Sequence, residues 1–257
     1  MSSGSLTVVG TGIRLGSHMT REARLLLEAD VVLSVVAEPG MQAVLEELNP
    51  RTRSLHDLYE LGESRAEAYQ AMAEEILREV REGKNVVAAF YGHPGVFVAP
   101  SHEAIRMARA EGYEASMLPG ISAEDCLFAD LGVDPARFGC QSYEATDFLV
   151  HRRRVDPCAA LVLWQIGTVG SVVAAETTQP AGLPVLVETL LEHYPPDHEV
   201  TVYEASPYPG FDPFVRTVRL VELSAEHVTA LSTLYVPPRE PAALDLTMLD
   251  RLGLPRP

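Results

Sequence analysis

Short apolar runs alternate with longer amphipathic segments through the first half of the chain, and this alternation restricts the fold more than any other feature. The apolar runs hold four to six residues and include β-branched side chains, as in Val31–Val36. Such runs are typical of buried parallel strands. The segments between them have the apolar spacing and the start and stop signals of helices, as between Ser64 and Gly83. This half therefore predicts an α/β fold with a mainly parallel sheet covered on both faces.

The first half is predicted to contain four strands, Leu6–Val9, Val31–Val36, Val86–Phe90 and Ala115–Leu118, and four helices that begin near Thr20, Pro39, Ser64 and Ser101. Among these helix starts, Ser64 has Glu67 three residues later, which forms a capping box and places the first helical residue at Arg65. Thr20 and Ser101 are interpreted as caps of helices ending near Glu28 and at Gly112.

The second half has a different pattern, which predicts a second domain. Val200–Glu204 alternates apolar and polar residues, as in a half-exposed and more antiparallel strand. We therefore expect a mixed sheet in a two-domain fold, with an N-terminal α/β domain over residues 1–118, a C-terminal domain over 119–238 and a short tail over 239–257. The other predicted elements are strands Leu161–Trp164, Val215–Leu220 and Ser232–Val236, and helices Ser122–Leu131, Leu183–Tyr194 and Leu246–Leu252.

Composition excludes several classes of protein. The net charge of −16 argues against a nucleic-acid-binding surface, which needs clustered Lys and Arg. No apolar run reaches the roughly 20 residues of a membrane span, and no signal peptide is recognisable, so we expect a cytoplasmic protein. Cys126, Cys140 and Cys158 lack metal-ligand spacing and are interpreted as reduced thiols. The basic run His151–Arg154 is either a solvated face or a site for an acidic partner.

Gly10 and Gly12 follow the first predicted strand, where nucleotide loops are found. The dinucleotide fingerprint requires a third glycine at the position of Leu15, and the nearest glycine is Gly16. The fingerprint therefore fails. A tight turn and a loop that lets a ligand approach the backbone both remain open for Gly10–Gly12.

Two further loops follow predicted strands. Tyr91–Phe97 contains two glycines, a proline and His93, while Pro119–Ala123 leads into a helix through Ser122. His93 is a candidate hydrogen-bonding residue for a small molecule or a structural histidine, since no partner stands at metal-ligand spacing. Because ligands of parallel α/β sheets bind beyond the carboxyl ends of strands, the three loops are predicted to converge on one site.

These motifs occur together in one known superfamily. The stretches "VVGTGIRLGSHMT", "YGHPGVFVAPSHEAI", "GYEASMLPGISAED", "LWQIG" and "STLYVPP" resemble, in order and separation, the tetrapyrrole methylase superfamily. Within it, "YGHPGVF", "GCQSYEATDFL" and the spacing of Tyr59, Arg65 and Tyr69 resemble the borosin-type peptide backbone α-N-methyltransferases. The resemblance implies S-adenosylmethionine as the cofactor, bound between two α/β domains, and a homodimer.

The resemblance also implies roles for individual residues. Tyr69 would be the base that removes an amide proton, Arg65 the cation that favours its phenolate, and Tyr59 a donor to the amide oxygen. Spacing alone predicts only that Arg65 and Tyr69 share a helical face, and without the resemblance Tyr69 is interpreted as a core residue. The implied cofactor contacts are Gly10, Gly12, Tyr91, His93, Val96, Ala99, Ser122, Ala123, Gln165, Ala205, Ser232 and Thr233.

The substrate predicted from this resemblance is a precursor peptide on a separate chain. Residues 239–257 show no run of small apolar residues that would suit a methylated core. Two alternatives stay open at this point. One is a methylase of a tetrapyrrole or corrin intermediate, which needs a basic cleft that the net charge of −16 disfavours. The other is a cofactor-binding partner protein without catalysis.

Overall fold

The computed structural model describes residues 4–25, 28–36, 38–61, 64–171 and 180–256, which form two compact units. The first unit contains the described residues of Met1–Val133, Gly170–Thr178 and Tyr203–Phe214. The second contains those of Asp134–Val169, Gln179–Val202 and Val215–Pro257. The first unit thus extends past the boundary predicted at residue 119. In the described ranges, no helix has both the length and the apolar character needed to cross a membrane.

A parallel sheet forms the centre of the first unit, as predicted. Its strands are β1 (Ser5–Gly10), β2 (Val31–Val35), β3 (Thr52–Ser54), β4 (Asn85–Phe90) and β5 (Glu114–Met117), in the order β3-β2-β4-β1-β5. All four pairs of neighbouring strands are parallel. Phe90, at the end of β4, lies opposite Gly10 of β1 on one side and Val35 of β2 on the other. The carboxyl ends of the strands therefore lie at one edge of the sheet.

Helices cover both faces of this sheet because their apolar stripes bury two separate clusters. On one face, Met72, Ile76 and Ile105 pack with Leu6 and Phe90. On the other face, a cluster that contains Met41, Leu45 and Val32 buries the opposite side of the strands. The helices of this unit are α1 (Arg21–Leu25), α2 (Pro39–Leu48), α3 (Leu58–Leu61), α4 (Arg65–Arg81), α5 (Ala99–Ala110) and α6 (Ala123–Leu131).

The helix starts test the predicted caps. The Thr20 hydroxyl accepts from the Ala23 amide at 3.1 Å, as expected of a cap. The end of this helix was predicted near Glu28, just after residues 26–27, which lie outside the described ranges. The prediction that Ser101 caps α5 is wrong. The helix begins two residues earlier, at Ala99, and the fully buried Ser101 hydroxyl donates to the carbonyl oxygens of Pro94 and Val98.

The second half of the chain contains a mixed sheet, as predicted. Its strands are β6 (Cys140–Glu144), β7 (Ala160–Trp164), β8 (Glu199–Glu204), β9 (Phe214–Arg219) and β10 (Thr233–Val236), in the order β6-β7-β10-β8-β9. β6 and β7 are parallel, whereas β7 and β10 are antiparallel. Helices α7 (Pro135–Phe138), α8 (Ala145–Val150), α9 (Leu183–Leu191) and α10 (Leu246–Leu252) complete the elements. The core of this unit includes Phe148, Leu161, Leu186 and Leu234.

Candidate functional site

Three loops follow parallel strands at the carboxyl edge of the first sheet. Gly10–Gly12 follows β1, Tyr91–Pro94 follows β4, and Pro119–Ser122 follows β5. The amides of Gly12 and Gly92 each donate to the other's carbonyl oxygen at 3.1 Å. A Cβ atom on Gly120 would lie 3.2 Å from the Gly92 oxygen and 3.4 Å from the Gly10 Cα. The structure thus brings the three loops together.

The glycines in these loops have structural reasons of their own. A Cβ atom on Gly10 would lie 2.2 Å from the Gly92 carbonyl oxygen and 2.8 Å from Pro94 Cδ. Gly12 has φ +68°, and a Cβ there would lie 2.2 Å from the His18 Cβ. Because neighbouring residues fill both positions, packing between loops accounts for the two glycines. Their contact with a cofactor stays a prediction.

His93 is fixed within the loop after β4. The Gly95 amide donates to His93 Nδ1 at 2.9 Å, and the Val96 amide donates to the His93 carbonyl oxygen at 3.2 Å. In a neutral ring, this places the proton on Nε2, so that Nε2 is a donor. Ala99 is the first residue of α5 and is exposed.

Tyr91 begins the same loop, and its ring is partly open to solvent. The residue is 39% exposed, yet burial raises the pKa of its hydroxyl to about 12, with smaller contributions from Cys126 and Glu38. The hydroxyl is protonated at neutral pH, where it can donate a hydrogen bond but cannot act as a base.

Ser122 caps the helix that follows β5. Its hydroxyl accepts from the Asp125 amide at 3.1 Å, and its own amide donates to Asp125 Oδ2 at 2.7 Å. The hydroxyl proton is also directed at Asp125 Oδ2, at 2.6 Å. The side chain is thus committed to the capping box, and Ala123 is the first helical residue. The polar groups left for a ligand here belong to the backbone.

The two tyrosines and the arginine also lie at the carboxyl edge of the first sheet. Tyr59 is on α3, just after β3 ends, and α4 connects that edge to the start of β4, so its first turns carry Arg65 and Tyr69 there. The rings of Tyr59 and Tyr69 pack edge to face, with centroids 6.1 Å apart and planes at 80°. Both rings are partly buried against the cluster that contains Phe90. Gly62, between Tyr59 and Arg65, lies outside the described residues.

Sequence reasoning missed three side chains near these positions. The His56 ring packs on Tyr59 with centroids 5.5 Å apart. The Tyr208 hydroxyl donates to Glu38 Oε1 at 2.8 Å, in the segment that Ala205 begins after β8. That segment also reaches the loop after β1, where the Leu15 amide donates to the Pro207 carbonyl oxygen at 2.8 Å. The sequence pattern does not indicate these pairings. The contacts of Tyr208 and Pro207 join residues far apart in the chain, and Tyr59 lies on a helix that was not predicted.

The predicted contacts of the second unit gather at one end of the β7–β10 pair. Gln165 follows β7 with φ +60°, and the next amide, that of Ile166, donates to the Ser232 carbonyl oxygen at 3.1 Å. The fully buried Ser232 hydroxyl accepts from the Thr229 amide at 2.8 Å, and Thr233 begins β10. These three residues are therefore neighbours, although their predicted role in cofactor binding is not tested by this geometry.

A parallel sheet with glycine loops at its carboxyl edge, together with a mixed second sheet, defines a class of two-unit α/β proteins. The sequence profile of the Tetrapyrrole (Corrin/Porphyrin) Methylases matches residues 5–218. The chain belongs to this family.

Curated relatives have names that combine a methyltransferase with a ribosomally synthesized cyclic peptide precursor. The chain is 44% identical, over 98% of its length, to a methyltransferase/ribosomally synthesized type I borosin cyclic peptide precursor from Serendipita vermifera subsp. bescii. It is 43% identical, also over 98% of its length, to the methyltransferase/ribosomally synthesized cyclic peptide omphalotin A precursor from Omphalotus olearius. The chain spans 63% and 62% of these relatives, respectively. The similarity to borosin proteins expected from the sequence is confirmed.

A solved structure supports the fold independently. The uroporphyrin-III-C-methyltransferase from Thermus thermophilus superposes with a TM-score of 0.67 at 22% identity, covering 99% of this chain and 98% of that one. At this level of identity the match confirms the two-sheet α/β fold.

Proposed function

We propose that the protein is an S-adenosylmethionine-dependent methyltransferase that methylates backbone amide nitrogens of a peptide. The observation that carries the proposal is the placement of Tyr59, Arg65 and Tyr69 at the same sheet edge as the three glycine loops. Family membership supports methyl transfer, and the names of the relatives join methyltransferase and peptide precursor in one chain.

The described residues fit the proposed cofactor. S-adenosylmethionine has a carboxylate and an adenine that need directed hydrogen bonds, and it supplies an electrophilic methyl group when bound. His93 Nε2 is available as a donor because Gly95 occupies Nδ1, and the Tyr91 hydroxyl is protonated. The Gln165 amide group can both donate and accept. The small side chains of Ala99, Ala123 and Ala205 leave room for a ligand beside the backbone.

The chemistry requires a base because an amide nitrogen is a poor nucleophile. Its lone pair is delocalised into the carbonyl group. In the proposed mechanism, the Tyr69 phenolate removes the amide proton, and Arg65, one helical turn earlier, stabilises the negative charge on that oxygen. Tyr59 donates a hydrogen bond to the amide oxygen, where charge develops as the proton leaves. Residues that position the acceptor nitrogen would supply much of the acceleration, and the bound cofactor would supply the methyl group.

The proposal includes a precursor peptide that binds in trans. Residues 246–252 form a capped helix, in which Asp245 accepts from the Met248 amide at 3.0 Å and Gly253 ends the helix with φ +66°. We therefore do not place the acceptor amides in this helix. The proposal also includes the homodimer implied by the resemblance, which light scattering after size exclusion would test.

The substitution Tyr69→Phe tests the base. We expect methyl transfer to a co-expressed precursor peptide to fall by roughly 10²–10⁴-fold, since this is the usual contribution of general base catalysis. Mass spectrometry of the peptide measures the increments of one methyl group, and calorimetry should show unchanged S-adenosylmethionine binding. Tyr113→Phe is the matched control, because Tyr113 packs on the same cluster but precedes β5, at the opposite edge of the sheet.

Other outcomes separate the alternatives. Unchanged turnover in Tyr69→Phe would remove the base assignment. Methyl groups that accumulate on the enzyme alone would contradict a substrate in trans. If the wild type methylated a corrinoid but no peptide, the tetrapyrrole alternative would replace the proposal. Binding of the cofactor without transfer to either class would support a partner protein without catalysis.

A further inference from the structure

A pocket of about 500 Å³ lies in the second unit, beside the end of α8. Three consecutive arginines, Arg152, Arg153 and Arg154, form part of its wall. Its other lining residues are mainly apolar or polar without charge, with a single carboxylate: Phe148, Leu149, Val155, Thr189, Glu192 and His193. The pocket therefore combines an apolar surface with an unusual concentration of cations for a chain of net charge −16.

Among the described residues, two of the three guanidinium groups have no counter-ion. Arg153 Nε donates to Asp147 Oδ2 at 2.9 Å, so its charge is compensated. In the described part of the chain, the side chains of Arg152 and Arg154 make no ion pair or hydrogen bond. Glu192 also lines the pocket and offsets some of the positive charge. The remaining positive charge at the pocket favours an anionic group.

The backbone conformation at Arg152 disfavours arginine, so the fold alone does not explain an arginine at this position. The Arg153 amide donates to the Phe148 carbonyl oxygen at 3.1 Å and the Arg152 amide to that of Leu149 at 3.2 Å. These two bonds are the Schellman motif at the end of α8, with Arg152 at the position where glycine is preferred. Arg152 has φ +46°, a conformation that is strained for a residue with a side chain. Strain of this kind is common at functional sites.

We propose that this arginine pocket binds an acidic peptide segment in which carboxylates alternate with apolar residues. Guanidinium groups bind carboxylates with two parallel hydrogen bonds, and Phe148, Leu149 and Val155 offer apolar contact beside them. The proposal rests on the proposed function, because the segment would belong to the substrate peptide, at a site distinct from the methylated amides. The pocket would hold the peptide through this segment during methyl transfer.

The experiment measures binding without methyl transfer, so that it does not depend on the catalytic proposal. The probe is a fluorescein-labelled hexapeptide of alternating glutamate and leucine, and its glutamine counterpart is the neutral control. Fluorescence anisotropy at low salt should show binding of the acidic probe only, with an affinity that decreases as sodium chloride screens the charges. Arg152→Gly and Arg154→Gln should each weaken binding by about fivefold, as expected for exposed charge pairs.

Arg152→Gly separates a ligand-binding role from a structural one. Glycine relieves the positive φ, so thermal stability should be equal or higher while probe binding falls. Arg106→Gln removes the same charge from α5, where Arg106 is exposed, and should leave binding unchanged. Equal losses in Arg106→Gln, no binding to the wild type, or equal binding of the glutamine probe would each overturn the proposal. Displacement of the probe by millimolar phosphate at constant ionic strength would show a phosphate site instead.

Discussion

At the scale of single residues, glycine is required for two distinct physical reasons, one at the candidate site and one at the end of α5. Gly10 has no room for a side chain, since the Gly92 carbonyl oxygen would be 2.2 Å from its Cβ. Gly112 has open space around it, but its φ of +85° disfavours any side chain. The sequence alone cannot distinguish these cases, because contact between loops from different strands is not visible in a local pattern.

Alanine substitutions at Gly10 and Gly112 should therefore differ in the stability they cost and in their effect on S-adenosylmethionine binding. Gly10→Ala forces backbone atoms apart and should destabilise the protein by about 2–3 kcal/mol. Gly112→Ala should cost about 1–2 kcal/mol from the backbone conformation alone. Urea denaturation measures both. S-adenosylmethionine affinity should fall in Gly10→Ala only, and an equal effect in the two variants would contradict the role of loop contact in the site.

At the scale of elements, the sequence predicted the long helices and the central strands but missed the short polar pieces. The bounds of α10 were predicted to the residue, and α2 begins at Pro39, near which a helix start was predicted, because Pro39 and Gly253 are strong boundary signals. β3 consists of Thr52, Arg53 and Ser54, which show no apolar alternation, and it forms only because β2 offers an edge to pair with. β6 and most of α8 lie within "GCQSYEATDFL". This stretch carries the resemblance, but no strand or helix was predicted for it.

The candidate site could be predicted in part for the same reason. The loops follow strongly apolar strands, so their meeting at one edge is a consequence of parallel topology. Tyr59, by contrast, is on the four-residue helix α3, whose position depends on packing against α4. Short helices have little intrinsic stability, and their location is set by tertiary contacts. The edge-to-face contact of Tyr59 with Tyr69 could therefore not be derived from spacing.

The capping box of α4 links an element to the proposed chemistry. Ser64 and Glu67 fix the turn that begins with Arg65, and the Ser64 amide donates to Glu67 Oε2 at 3.0 Å. Ser64→Ala should cost about 1 kcal/mol of stability and reduce methyl transfer severalfold, because the first turn frays. Asp245→Ala removes the cap of α10 and is the control. It should lower stability similarly or less, with turnover unchanged. Equal turnover in both variants would argue against a catalytic role for this turn.

At the scale of the whole molecule, buried tyrosines make stability depend on alkaline pH. Burial raises the pKa of Tyr194 to about 12 and also raises the pKa of Tyr203, whose hydroxyl donates to Asp130 Oδ2 at 2.7 Å. Because the unfolded pKa is near ~10, the folded state retains these protons more strongly. The resulting stability is complete below about pH 10 and is lost as pH rises toward 12.

Tyr194→Phe isolates one contribution to this alkaline loss. The Tyr194 hydroxyl is buried and has no hydrogen-bond partner among the described residues, so the substitution should be neutral or stabilising at pH 7. Between pH 9 and 11.5, the variant should lose less stability than the wild type, with a difference that approaches ~2–3 kcal/mol at still higher pH. Urea midpoints measured across this range test the expectation. Parallel curves for the two proteins would contradict it.

The reciprocal hydrogen bonds of Gly12 and Gly92 have a further consequence. They form an isolated antiparallel bridge just beyond the carboxyl ends of the parallel strands β1 and β4. Neither loop can open by itself, because each supplies the donor and the acceptor that the other needs. The amide protons of the two glycines should therefore exchange with solvent in one cooperative event. A ligand that binds one loop should slow amide exchange at both glycines.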